Sequence, residues 1–380
     1  MLQDIIDTTK NFVNREKELE ELKKTLDAFQ KQKPRHLAIT GARRVGKTYL
    51  LYKYIQKSIS PAIVPVYIDV LYKRNWSDVC DEIIESLMEN YTYCTNKKLR
   101  VERFNTWFTG TLQDIIRRLT TIELEMGTAT GAYLKLRASI KERPDDEIEL
   151  VQTTMKAIEE FAEKKNISIV MILDEFQHIE KFNHMTETLA AMRNTIQFQK
   201  RVQYIFSGSS TTFINKIFAA STSAFWRQVE IYKLPPFTIE ATMKLAKSWD
   251  INLDKEEGTV LTVVTKGIPD YIVKTLLGLS TRKKPTKEEI QKSFQQIVDR
   301  ESLLFSDIFE RLPSLQQQVM ILLAEGKTQY KQLEQEIGKK VGGILNQMVN
   351  AQLIERTEKG QYDIFDPVFK ESVKNRIHSG

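Results

Sequence analysis

The chain has 380 residues, 41% of them apolar and 28% charged, which is the composition of an ordinary soluble globular protein and too long for one compact core. Two cysteines, Cys80 and Cys94, give neither a disulfide framework nor a metal-binding spacing and fit a reducing compartment. The net charge of +6 permits contact with nucleic acid without demanding it, so any such contact has to be argued from a fold element.

The N-terminal Met1 to Asp7 is neither basic nor apolar enough for a signal peptide, and no run approaches a membrane span. A cytoplasmic protein without membrane association is expected. Phe12, Val13, Asn14, Arg15 and Glu16 open a charged helix, Lys17 to Gln30. A short buried strand follows at His36–Thr40. Gly41, Ala42, Arg43, Arg44, Val45, Gly46, Lys47 and Thr48 then fit the pattern G-x-x-x-x-G-K-[ST], and Tyr49 to Ile55 continue as helix. Glycines at both ends let the backbone curl so that successive N–H groups point at an anion, and the helix adds its positive dipole end. In that loop Lys47 reaches the β and γ phosphates of a nucleoside triphosphate and the Thr48 hydroxyl ligates Mg²⁺.

Ile63–Asp69 reads as a second strand, placed at a sheet edge by its internal Pro65. Between Leu71 and Leu150, helices are expected near Trp76 to Glu89 and Phe104 to Arg118, with a turn or hairpin around Gly127 and Gly131. A helix from about Asp146 to Lys164 leads into Ile167–Asp174, an apolar run that reads as a central parallel strand covered on both faces. Its acids, Asp174 and Glu175, emerge at the C-terminal edge, where such sheets place ligands. Asp174 is the candidate Mg²⁺ residue and Glu175 the candidate that orients and polarises the attacking water. His178 and His184 lack partner ligands and read as surface or packing residues.

A helix at Met185 to Phe198, a strand at Val202–Phe206 ending in Ser207 to Ser210, and a fifth strand at Val229–Leu234 complete the pattern. Five strands alternating with helices make a parallel α/β sheet of the P-loop type, expected order 5-1-4-3-2. Residues 1–236 form this core. Residues 237–304 look helical throughout (Ile239 to Trp249, Lys255 to Thr265, Asp270 to Leu279, Lys287 to Ser302) and read as a lid or an unrelated helical bundle. Residues 305–380 give three helices, Leu315 to Leu323, Tyr330 to Ile337 and Val341 to Asn350, then two strands around Thr357 to Gly360. That is a winged helix-turn-helix, whose third helix enters the major groove when it binds DNA. Here that helix presents Asn346, Gln347 and Asn350 and no arginine, so docking of a protein stays open beside docking of DNA.

With these pieces placed, the chain resembles the archaeal-type ATPase family of AAA+ and STAND-like P-loop proteins. The likeness rests on Phe12 to Glu16, Gly41 to Thr48, Leu173 to Glu175, Gly208 to Ser210, Phe225 to Arg227 and Gly267 to Pro269. It implies that Phe12, Val13 and Arg15 wrap the adenine of ATP while Gly267 and Pro269 close over the base. It also implies a sensor role for Ser209 toward the γ-phosphate or the water, and makes Arg227 a candidate finger for transition-state charge. Trp226 and Lys266 stand where relatives commonly have glycine, and Arg43 and Arg44 fit the family's loop or are simply solvated.

Two functions follow. One is an ATP-dependent switch, in some arrangement a homo-oligomer, that acts on double-stranded DNA; the other is a slow signalling or scaffolding NTPase whose C-terminal module docks a protein. A kinase is disfavoured, since no acceptor-binding insertion is recognisable.

Overall fold

The computed structural model describes residues 12–31, 35–95, 145–209, 211–219 and 228–379, together with Ile5 and Phe225. The helix expected at Phe104 to Arg118, the turn near Gly127 and Gly131, and residues Ser210, Trp226 and Arg227 lie outside the described residues. Two compact units are present: Met1–Gly41 with Lys47–Leu234, and Ala42–Gly46 with Pro235–Gly380.

The first unit opens with α1 (Glu16–Gln30), followed by β1 (His36–Thr40), α2 (Lys47–Ser58) and β2 (Ile63–Asp69). Next come α3 (Trp76–Thr95), α4 (Asp145–Lys165) and β3 (Ser168–Asp174), and then α5 (Met185–Ile196), β4 (Val202–Gly208), α6 (Thr211–Phe218) and β5 (Val229–Lys233). The strands form one parallel sheet in the order β2-β3-β4-β1-β5, the expected order read from the other edge. Pro65 explains the place of β2: without an N–H it cannot serve a partner on each side, and β2 pairs only with β3. The Pro65 carbonyl accepts from Asn90 Nδ2 of α3 at 2.8 Å, so the helix covers that edge with a polar contact as well as an apolar one.

Every residue of β1 and β4 is buried, as is β3 beyond Ser168, which is why these strands read as continuous apolar runs rather than alternating ones. Phe176, Phe206, Phe218 and Phe225 pack ring against ring below the sheet's end, with neighbouring centroids 4.7 to 6.0 Å apart. Parallel register then lines up the strand ends: Asp69 opposite Asp174, Leu173 opposite Phe206, and Thr40 opposite Gly208.

The second unit holds α7 (Ile239–Lys247), α8 (Lys255–Val264), α9 (Pro269–Gly278) and α10 (Lys287–Glu310). Sequence signals set their starts. Thr238 Oγ1 accepts from the Ala241 N–H, Pro269 occupies the first turn of α9, and Thr286 with Glu289 forms a reciprocal cap on α10. One helix end differs from expectation. The chain does not leave helix at Ser302 but continues to Glu310, because no glycine or proline interrupts Glu301–Leu312 and both Phe305 and Phe309 turn into the interior.

Beyond it lie α11 (Ser314–Ala324), α12 (Tyr330–Ile337) and α13 (Gly342–Asn350), then the antiparallel pair β6 (Ile354–Glu358) and β7 (Gln361–Ile364), and α14 (Pro367–Ser379). This is the winged helix-turn-helix, with α14 as an addition that the sequence pattern did not announce. Its core is continuous with that of the helices before it: Ile268, Tyr271, Phe294 and Ile297 belong to one buried cluster with Leu333, Leu345, Ile354 and Phe369.

Candidate active site

Backbone geometry shapes the loop first. Arg44 and Gly46 both adopt left-handed conformations, φ +64° and +94°, and the Val45 N–H turns back to the Ala42 carbonyl at 3.4 Å. Space does not demand glycine at position 46, where a Cβ would meet nothing within 4 Å; the positive φ does. Lys47 begins α2 and is buried, with Nζ donating to the Gly41 carbonyl at 3.1 Å, so its ammonium sits within the curl of the loop rather than in solvent.

Across the sheet edge, Asp174 ends β3 at 1% exposure. Its Oδ1 accepts from the Glu175 N–H at 2.9 Å, and its Oδ2 accepts two hydroxyls, Thr48 Oγ1 and Tyr67 Oη, each at 2.8 Å. The loop threonine and the strand aspartate are therefore in direct contact, as their separate motifs required. Glu175 takes a left-handed φ of +50°, which ends the strand and starts a short 3₁₀ turn at Phe176–Lys181. Its carboxylate accepts a short hydrogen bond from Gln177 Nε2 and a longer one, 3.4 Å, from Ser209 Oγ; Gln177 Nε2 also reaches Ser209 Oγ at 3.2 Å. Ser209 thus stands beside Glu175, brought there because β4 neighbours β3.

Two of these residues were missed in the sequence. Gln177 has no motif; its Oε1 lies against Gly208, 2.5 Å from where a Cβ would stand. Tyr67 was read only as strand. The charges at the edge also act on neighbours. Burial, with the negative charges of Asp174 and Glu175 behind it, pushes the Asp69 carboxyl above its ordinary range, and burial beside Asp174 pushes the Tyr67 phenol far up.

Residues 12–275 match the family of ATPase domains found predominantly in Archaea. The chain belongs to that family. Among solved structures, it is similar to a Walker-type ATPase of Pyrococcus abyssi (15% identity, TM-score 0.66), with 96% of each chain covered. It is also similar to the Aeropyrum pernix ORC2 protein, solved in ADPNP–ADP complexes (12% identity, TM-score 0.57, 96% of this chain and 94% of that one). The ADP form of the same ORC2 protein aligns at 11% identity and TM-score 0.53, over 97% and 96% of the two chains. No curated protein matches the sequence.

The remaining candidate residues of this archaeal-type ATPase fall in two places. In the first unit, Phe12 is half-buried with the Lys53 ammonium of α2 6.0 Å from its ring centre, and Tyr49, on the same helix, is 53% exposed. Arg15 is buried with φ +72° and donates to Glu18 at 3.0 Å; burial lowers its pKa despite that partner. In the second unit, Gly267 meets two demands at once: its φ is +64°, and a Cβ would lie 2.3 Å from the Phe237 carbonyl oxygen. The pair is tied by the Phe237 N–H donating to the Gly267 carbonyl at 2.7 Å, and Pro269 follows as the start of α9.

Lys266 also has positive φ, +50°, a conformation that glycine adopts without strain. Its Nζ reaches Asp363 at 2.7 Å, Glu355 at 3.0 Å and the Ile364 carbonyl at 2.6 Å, all on the wing. Arg44 is not merely solvated. Its guanidinium donates a short hydrogen bond to the Tyr271 hydroxyl, with Glu301 at 3.4 Å and Asp270 at 3.7 Å; burial works against its charge, and these partners more than offset it. Arg43 is exposed. On the winged helix, Asn346, Gln347 and Asn350 are exposed along α13, flanked by exposed Lys339 and Lys340 and, in the wing, Arg356 and Lys359.

Proposed function

We propose that the chain is a Mg²⁺-dependent, ATP-binding and ATP-hydrolysing switch that acts on or with double-stranded DNA through its C-terminal winged helix. The observation that carries this reading is the convergence of Thr48, Asp174, Glu175 and Ser209 at one sheet edge. A divalent ion fits the donors. Asp174 is buried, accepts only neutral donors and has no ion pair among the described residues. A desolvated carboxylate of that kind calls for a cation. Among the described residues no group of three His, Cys, Asp or Glu could hold a metal alone. Two protein oxygens completed by phosphates and water suit Mg²⁺, which keeps several waters. Thr48 and Asp174 would hold the ion, which when bound offsets the charge of the phosphates.

The protein's own groups supply the rest. Loop N–H groups and Lys47 bind the phosphates, and Glu175, braced by Gln177 and Ser209, orients and polarises the attacking water. Arg227 serves as an arginine finger, from the same chain or from a neighbour in a homo-oligomer. Phe12, Val13 and Arg15 border the adenine, and Gly267 and Pro269 close over the base. Function then divides the chain into a core (1–236), a lid (237–304) and a winged helix (305–380). ATP contacts that ADP cannot make would shift the lid, and hydrolysis would reset it. The cytoplasm is the fitting compartment; among the described residues no helix is long and apolar enough to cross a membrane.

A protein partner for the winged helix is the second reading, supported by the absence of any basic residue within α13. One experiment addresses both halves: phosphate release and duplex gel shifts for the wild type and Glu175→Gln across a salt series. Glu175→Gln should retain ATP and stop turnover; an unchanged release rate removes Glu175 from its role. Duplex affinity should fall steeply with salt as counterions are released, and a flat, weak response transfers the winged helix to a protein partner.

A further inference from the structure

The Asp174 carboxylate is held by a donor that belongs to no loop or strand motif. Tyr67 lies on β2 opposite Ile172, two residues before Asp174 on the neighbouring strand. Side chains two apart on a strand share a face, so Tyr67 and Asp174 are diagonal neighbours. A diagonal is a span that aromatic and long side chains can bridge. The phenol bridges it, and its terminal oxygen ends 2.8 Å from Asp174 Oδ2. Phenylalanine would fill the same space and stop short. The ring is fixed in turn: Tyr67 is buried and packs edge-on against Tyr52, centroids 5.1 Å apart. Tyr52 lies on α2 four residues after Thr48, one helical turn on and on the same face.

Of the two hydroxyls on Oδ2, that of Thr48 is itself a proposed ligand. Tyr67 has no such role and is free to act as a brace. We propose that Tyr67, backed by Tyr52, is a positioning residue that holds the Asp174 carboxylate in the orientation needed to receive the divalent ion accompanying ATP. This rests on the function proposed above. It assigns to an edge-strand tyrosine the task that outer-shell partners perform in metal sites generally: they orient the ligand, and their loss weakens the metal by about 10- to 100-fold.

The test is Mn²⁺ binding to the full chain saturated with ATP, read from the free-ion electron paramagnetic resonance signal, with the thermal midpoint recorded alongside. Tyr67→Phe should raise the Mn²⁺ dissociation constant about tenfold, while ATP affinity in the absence of metal stays at the wild-type value. Tyr52→Leu, which removes the ring against which Tyr67 packs, should shift the Mn²⁺ constant in the same direction by less, and it carries the test should Tyr67→Phe fail to fold. If Tyr67→Phe lowers only the thermal midpoint and leaves the Mn²⁺ constant unchanged, the tyrosine is packing and the proposal is overturned. Asp174→Asn separates the two levels. A wild type whose Mn²⁺ binding is indifferent to ATP and to Asp174→Asn refutes the metal site itself, and the brace falls with it.

Discussion

Lys266 combines two effects of opposite sign, and replacing it by alanine and by glycine in separate chains pulls them apart. Its φ of +50° lies in the left-handed region, where a Cβ costs about 1–2 kcal/mol. Against that stand the contacts of Nζ with Asp363, Glu355 and the Ile364 carbonyl. Glu355 is 40% exposed, so that pair is worth less than about 1 kcal/mol. The bonds to Asp363, which is 16% exposed, and to the carbonyl are charge-assisted, each about 1.5 kcal/mol before a discount for the partly exposed lysine. Asp363 also keeps Lys370 at 2.7 Å when Lys266 is gone, so no bare charge is left behind.

Lys266→Ala should therefore cost roughly 2 kcal/mol, losing the bonds and keeping the strain. Lys266→Gly loses the same bonds and releases the strain, and should be about 1 kcal/mol more stable than the alanine chain. That reverses the ordinary ranking of alanine over glycine. Two compact units make global denaturation a poor two-state measurement. Native-state hydrogen exchange of the β6–β7 amides reads the local opening free energy instead. A glycine chain that opens as readily as the alanine chain would refute the strain argument, and two chains that both match wild type would remove the ion pairs from the account.

Other outcomes are equally direct. Lys47→Ala should abolish tight ATP binding in a direct titration, because it removes the buried ammonium that closes the loop on Gly41; retained affinity would remove the phosphate role of the loop. Gly267→Ala forces a methyl to 2.3 Å from the Phe237 carbonyl at a left-handed φ, so a loss above about 2 kcal/mol is expected, and wild-type thermal stability would contradict it. Stability should also fall with acid. His36 is buried, accepts from the Tyr204 N–H at 3.1 Å, and is pushed down to about 4 by burial. The unfolded chain takes up that proton near pH 6.5 and the folded chain does not, so stability present above pH 6.5 is lost as pH falls toward 4, on the order of 3 kcal/mol in all. The opening free energies of the β1 amides, read by native-state hydrogen exchange at pH 7.5 and 5, should converge in His36→Gln; an identical pH slope would clear His36.

The features legible in the sequence were those that local chemistry dictates. The left-handed turn at Gly46 and the helix starting at Lys47 could be read because the spacing of the loop sets its backbone, and the place of Asp174 because a buried apolar strand ends where its first acid stands. Pro65 placed β2 at an edge by what its ring lacks. Tyr67 and Gln177 could not be read, since their roles depend on which residue lies across the sheet, and register is not written in one strand alone. The continuation of α10 past Ser302 was hidden by Asp299, Arg300 and Glu301, whose charges look like an ending on the page; the first two lie on the solvent face of the helix and Glu301 pairs with Arg44 and Lys274. Arg44 found its partners, Tyr271 and Glu301, more than two hundred residues away, beyond any local signal.

The unbroken course of α10 carries a mechanical implication. Its early turns bury Ile290 and Phe294 among the helices of residues 239–278, and its last turns bury Phe305 and Phe309 against α14, where Phe305 stacks on Phe369 and Arg376 lies over Phe309. Twenty-four residues make a rod about 36 Å long, so a tilt of about 5° at one end swings the other by about 3 Å. No glycine or proline falls within it to act as a joint, so its two buried ends belong to one rigid element.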